Sequence, residues 1–298
     1  MPNIQEKYRL TPVVGQRVTG VQPYPFVIPS QQLIGIEVEV ENVSSGDLPR
    51  GSVWRIETDG SLRNNGMEYI SAPIMASEAP MALSQLLVDV LRQSCHFSPR
   101  TSVHVHLNVQ DMEVVTVQDM VMLYAVFERL FYRFAGRGRI RNIFCVPITE
   151  TSLMAGMTEQ ALGAGWSKYT GLNLVPIRGS TGTGDTAYGT VEYRQMHGTF
   201  SVDKLCMWID LITTLKEFVL KTSTKEIRSM ILNMDRDFDY HALLLRIFGD
   251  KATWFKYDGF EDVARTHLVA KTALLTAKTR AGIRNAVAGD TPFYKFKG

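Results

Sequence analysis

Glu37, Glu39 and Glu41 alternate with Ile36, Val38 and Val40 in the segment LIGIEVEVEN. The same two-residue rhythm returns twice. In TSVHVHLNVQ, His104, His106 and Asn108 alternate with Val103, Val105, Leu107 and Val109. In GTVEYRQMHG, Glu192 and Arg194 alternate with Val191 and Tyr193. Successive side chains of a strand point to opposite faces. Each segment therefore buries an aliphatic row and turns a row of carboxylates, imidazoles or a guanidinium the other way. Solvated strand faces usually mix Lys, Thr, Ser and Gln. Carboxylates, imidazoles and an arginine on one sheet suit hard cations, which take oxygen ligands, and phosphate, which arginine grips through paired N–H groups. An exposed Glu192–Arg194 ion pair would add less than about 1 kcal/mol, so stability alone explains it poorly.

Further candidates are scattered between these segments. Glu68 in GMEYISAP follows a turn and heads another strand-like run. Glu41, at the end of its strand, reads as a surface residue. Asp59 and Arg63 lie in TDGSLR, whose composition is ordinary turn chemistry. Asn173 in GLNL shares the polar parity and reads as a substrate contact, and His197 follows the third strand closely enough to touch a ligand. Arg137, Arg139 and Arg141 would bind nucleotide phosphates or a carboxylate substrate, or else complement the negative end of the preceding helix. The GSTGTG run has the composition of a phosphate loop. It lacks the Gly-Lys-Ser/Thr ending and precedes a strand rather than a helix, so it reads as a mobile flap.

The elements that must position these groups follow from periodicity. The first strand covers about 33–41. VWRIETDGSLRNNGMEYISAP reads as two more strands joined through a turn holding Gly60, Asn64, Asn65 and Gly66. Leu83, Leu86, Leu87, Val90 and Leu91 recur at helical spacing, and 117–134 is a second, strongly apolar helix. Its Val121, Phe127, Leu130 and Phe134 stripe is expected to pack on the aliphatic sheet face. WSKYTGLNLVPI reads as another strand. Helices are expected at about 203–222, 223–234, 238–248 and 260–278. Strands with interleaved helices, then a helical third, describe an α+β fold around an antiparallel sheet. The expected division is an extended, Pro-rich N-terminal arm at 1–30, a catalytic core at 31–200 and a helical part at 201–298 packed on that core.

The chain has 298 residues, 45% of them hydrophobic, enough for one large domain or two intimately packed ones. A net charge of +2 calls for neither nucleic acid nor an anionic membrane as partner. The start, MPNIQEKYRL, lacks the charged-then-apolar order of a signal peptide. No apolar run reaches the roughly 18 residues of a membrane span; the 117–134 stretch carries Asp119, Glu128 and Arg129. Cys95, Cys145 and Cys206 are far apart, without CxxC spacing, which fits buried thiols in a reducing cytoplasm better than a disulfide or zinc framework.

The order GIEVEVE, GMEYISAP, SVHVHLNV, GTVEYR, spanning about 33–200, resembles the glutamine synthetase-like carboxylate–amine ligases, and within them the amidoligases common in bacteria and phages. The resemblance implies a glutamine synthetase-like, partly open antiparallel sheet with helices on one face. It implies an enzyme in which ATP phosphorylates a carboxylate and an amine or ammonia displaces the phosphate to leave an amide. Two or three Mg2+ ions, or Mn2+, would assist. By that resemblance Glu37 and Glu39 ligate different ions, Glu68 completes one shell, His104 or His106 meets the second ion or the moving phosphate, and Glu192 is the last ligand. Arg194 would hold the phosphoryl group, with Arg63, Asn173 and Arg139 as nucleotide or substrate contacts. The implied partners are small-molecule or peptide carboxylates and amines. Without a nucleophile–base set for glutamine hydrolysis, any ammonia would come from a separate amidotransferase. The superfamily often self-associates, which leaves a homo-oligomer open. A phage-encoded copy would work in the host cytoplasm. Two other readings stand beside this one: an inactive relative serving as a binding or structural phage protein, and a metal-dependent phosphohydrolase on the same acidic face.

Overall fold

Alternation and helical periodicity translate into a seven-stranded sheet carrying helices on its aliphatic face. The computed structural model describes residues 2–20, 23–43, 48–49, 52–91, 95–136, 138–151, 166–179, 187–234, 236–255, 266–268 and 270–272. The strands are β1 (Leu33–Val40), β2 (Trp54–Thr58), β3 (Met67–Ser71), β4 (Ile74–Met75), β5 (Ser102–Asn108), β6 (Leu172–Asn173) and β7 (Thr190–His197). Their order is β2-β3-β1-β5-β7-β6, with β4 also on β1, and every pairing is antiparallel. The register aligns Glu39 with Glu68, Glu37 with His104, and His106 with Glu192. In-register partners of an antiparallel pair share a face. One sheet face therefore collects these polar groups while Ile34, Ile36, Val38, Val103, Val105, Leu107, Val191 and Tyr193 lie buried on the other.

Helix α3 (Val114–Ala135) packs against β7 and is the hub of the core. It is buried on nearly all sides, because α4 (Val202–Lys221) and α5 (Thr224–Asn233) also close on it, and α6 (Asp237–Phe248) packs on α4. Val121, Phe127 and Leu130 are fully buried, and Phe134 nearly so. The expected stripe does not all face the sheet: Phe127 packs on Tyr240 and Phe248 of α6 and Phe134 on Trp208 of α4, while Tyr124 and Phe131 meet Tyr193 of β7. Its charged residues are matched inside the protein. Asp119 accepts from Arg228 Nε at 2.7 Å, and Glu128 accepts from the Ile148 and Thr149 amides at 2.8 and 2.9 Å. Among the described residues no helix is long and apolar enough to cross a membrane. Cys95, Cys145 and Cys206 are free thiols, the last two buried.

Several segments depart from the expectations. WSKYTGLNLVPI supplies only the two residues of β6, followed by a 3-10 turn at Val175–Ile177. Pro176 has no N–H for a ladder, and Asn173 Oδ1 takes the Val175 amide into the turn instead. The helix expected around 83–91 is α2 (Ala79–Ser84) continued by a wider π turn over Gln85–Val90. The N-terminal segment is interrupted by a helix, α1 (Ile4–Tyr8), closed by a capping box between Asn3 and Glu6. Ile4 is fully buried and its amide donates to Met112 O, so this end straps the sheet rather than standing off it. The turn at 59–66 is present, with Asn64 and Asn65 at positive φ. Of the helix expected at 260–278, residues 266–268 and 270–272 are helical and the others lie outside the described residues, as do Arg137 and most of the GSTGTG run.

Candidate active site

The polar face converges on His104. Its Nδ1 lies 3.0 Å from Glu37 Oε2 and 3.4 Å from Glu192 Oε1, and its Nε2 lies 3.6 Å from Glu39 Oε1 and 2.8 Å from Ser102 Oγ. His106 Nε2 is 3.0 Å from Glu37 Oε1, and its Nδ1 is 2.9 Å from Thr190 Oγ1. The His104 imidazole thus lies within 3.6 Å of three carboxylates from two strands, β1 and β7. Two sets, Glu37–His104–Glu192 and Glu39–Glu68–His104, each place their ligand atoms within 4.8 Å of one another. These groups line a cleft of about 620 Å³.

The supports are as specific as the site. Ser102 donates both its amide and its hydroxyl to Glu39 Oε2, at 2.8 and 2.6 Å, which fixes that carboxylate. Asn173 Nδ2 donates to Glu192 Oε2 at 2.6 Å, and Arg194 Nη1 donates to Glu192 Oε1. A β-bulge interrupts the β5–β7 ladder between the Val103–Met196 and Val105–Tyr193 pairs, where Arg194 and Gln195 both face His104. Bulges re-aim side chains at such places. Here Arg194 keeps the parity of Glu192 and lines the cleft, while Gln195 is buried and donates to Tyr124, and the bulge returns Met196 to the core.

The family model described as "Putative amidoligase enzyme" matches residues 18–216, more than half of the chain and all of this site. The chain belongs to this amidoligase family. Membership supports a carboxylate–amine ligase in general terms. Among solved structures, one titled as a novel glutamine synthase homolog is similar at 14% identity and a TM-score of 0.38, covering 83% of this chain and 68% of that one. No curated protein matches the chain in sequence.

The amidoligase cleft is electrostatically crowded. Burial alone would raise Glu37 and Glu192. For Glu37, His106 and hydrogen bonds from both histidines outweigh it and hold the carboxyl well below its usual range. For Glu192, Arg194 and the two histidines outweigh burial and lower the carboxyl below its usual value. Burial would lower His106, but Glu37 and Glu192 raise it. Glu68 has no such relief: burial, then the charges of Glu37, Glu39 and Asp59, push it up to about 9.

The remaining expected residues divide. Asn173 and Asp59 line the cleft, Asp59 also capping its own turn by accepting from Ser61. Arg63 does not: its side chain is exposed on the turn, and its backbone amide donates to Glu41. Glu41 is buried by that bond rather than lying on the surface. His197 bonds to Ala135 O behind the sheet. Arg139 is buried away from the cleft and donates through Nε and Nη2 to the carbonyls of Gln195 and Arg194, each at 2.9 Å. The helix-end arginine therefore clamps the bulge. Arg139→Lys, which keeps the charge but not the fork, is expected to cost about 1–3 kcal/mol, the range for hydrogen bonds from a charged donor. Urea denaturation checks this, and an unchanged midpoint would leave the clamp without energetic weight. Ser102 and Thr190 are findable from strand parity with His104 and Glu192. The exposed Arg100 and Lys168 at the cleft edge sit in turns and carry no such signal.

Proposed function

We propose that this amidoligase is an ATP- and magnesium-dependent carboxylate–amine ligase working through an acyl phosphate. The observation that carries the reading is the gathering of Glu37, Glu39, Glu68 and Glu192 around His104, with the Arg194 guanidinium in the same cleft. The donor set suits magnesium: oxygens dominate, and the charge crowding that forces a proton onto Glu68 is what a bound cation would relieve. Glu37, Glu39, Glu68, Glu192 and His104 would hold the ions, which when bound would neutralise the polyphosphate.

The chain's own groups account for the rest. Arg194 is held by Glu192, and its buried Nε has no partner among the described residues. A phosphoryl oxygen would give that fork a second ligand. In the first step a carboxylate oxygen attacks the γ-phosphorus, the bond to the β-phosphate oxygen breaks, and ADP leaves. In the second the amine nitrogen attacks the acyl carbon, the carbon–oxygen bond to phosphate breaks, and the amine gives up a proton as phosphate departs. His106, anchored by Thr190 and Glu37, stands beside the transferring group. We place the reaction in the cytoplasm, with the 31–200 region as catalytic core and the C-terminal helices as its support.

Titration calorimetry with a non-hydrolysable ATP analogue should show saturable binding that needs magnesium, and ADP release should appear against pooled carboxylates and amines. ADP release that never requires an amine, or no nucleotide binding, would turn the assignment toward a phosphohydrolase or a binding protein.

Glu68 gives a second check without a substrate. Its folded pKa lies above the unfolded carboxylate value, so its contribution to stability is fully present below the unfolded pKa and is lost as pH rises toward about 9. With chelator present, Glu68→Gln should melt higher than the parent at pH 8, and the gap should close toward pH 5. Magnesium should shrink the gap at pH 8. Identical melts at pH 8 and 5 would remove the crowding argument.

A further inference from the structure

A second cavity opens from the same sheet face, toward the N-terminal end of β1. It holds about 140 Å³ and shares Glu37, His106 and Tyr188 with the active cleft. Its walls are mostly apolar, from Val13 of the strap, Leu33, Ile70 and Pro73, with Ser71, Asn108 and Thr190 also lining it. Its floor is Gly35, which pairs with His106 across the sheet. Glycine weakens a strand interior and often marks a close approach by something else. Among the described residues nothing fills the space over Gly35: an added Cβ would meet only His106 Cβ, at an ordinary 3.6 Å. Apolar cavities near 150 Å³ accept a molecule the size of benzene.

The rim adds polarity of one pattern. Arg55, Ile70 and Glu37 stand side by side across β2, β3 and β1. Arg55 Nε is engaged by Glu57 at 2.7 Å, which among the described residues leaves the outer nitrogens of this cavity-lining guanidinium able to donate to a ligand. An apolar slot thus lies between a guanidinium on one side and a carboxylate with an imidazole on the other.

Resting on the ligase reading above, we propose that this cavity is the specificity pocket for the amine substrate, an α-amino acid with a leucine- or phenylalanine-sized side chain. The side chain fills the slot over Gly35, the α-carboxylate meets Arg55, and the amine faces Glu37 and His106, next to the phosphoryl-transfer groups. Acidic or bare substrates leave the slot empty or bury a charge in it.

The test is titration calorimetry of the full chain with L-leucine, glycine and L-glutamate, in magnesium and a non-hydrolysable ATP analogue, for the parent and Gly35→Val. Valine suits an extended strand and fills the slot. Leucine should bind the parent at least about tenfold tighter than glycine or glutamate, the least that a hydrophobic pocket gains per methylene. Gly35→Val should lose leucine and keep the nucleotide. Arg55→Gln, on an exposed side chain, should weaken leucine about tenfold with nucleotide binding intact, as expected for a lost charged hydrogen bond. Equal affinities for leucine and glycine, or leucine binding retained in Gly35→Val, would overturn the pocket. Failure of the parent to bind nucleotide would overturn the ligase reading instead, and the leucine comparison without nucleotide would then decide the pocket alone.

Discussion

Arg194→Lys should fold like the parent and lose about 10²–10³ in single-turnover ADP formation at saturating nucleotide, the loss typical of removing one preorganised donor to a developing charge. Lysine keeps the charge but not the planar fork that engages two oxygens at once. Glu192 occupies one side of the Arg194 guanidinium, which lines the cleft. Nucleotide affinity should fall far less, because in the proposed site the carboxylate cluster and the ions it would hold also grip the phosphates. If Arg194 serves only to pair Glu192, the lysine variant will turn over normally. If melting temperature and rate fall together, the residue is structural.

Phe127→Ala should cost about 3–5 kcal/mol, the range for emptying a buried aromatic site. The ring is fully buried in α3, with its centroid 4.9 Å from that of Tyr240 and 6.0 Å from that of Phe248. Both neighbours belong to α6, so the cavity would open between the hub helix and the C-terminal helices rather than under the cleft. Chemical unfolding measures the loss, and nucleotide binding at low temperature should survive it. A change of about 0.5 kcal/mol or less, as surface positions give, would mean that α3 is not the hub.

Alternation alone makes most of this site legible in the amino-acid sequence. Period two places Glu37, Glu39, His104, His106, Glu192 and Arg194 on one face, and the register brings them together. What stays illegible has definite causes. Strand parity assigns Arg194 to a face but cannot show the bulge beside it that buries Gln195 and Met196, because a bulge is a mismatch with another strand. The basic run at 137–141 has the look of a phosphate site, whereas the buried Arg139 spends two donors on backbone carbonyls that no sequence pattern advertises. Glu41 reads as surface charge because its partner is an amide from a separate turn. The short β6 reads as a longer strand because apolar residues before Pro176 look strand-like until the missing N–H ends the ladder.

The buried Glu128 has a further consequence. It receives the amides of Ile148 and Thr149 and the hydroxyl of Tyr124, and Tyr124 in turn receives Gln195 from the bulge. The stretch at 148–149 and the arginine-bearing bulge are therefore hinged on one carboxylate inside α3. They form a single mechanical unit: a shift in that outlying turn bears, through Tyr124 and Gln195, on the strand that carries Arg194.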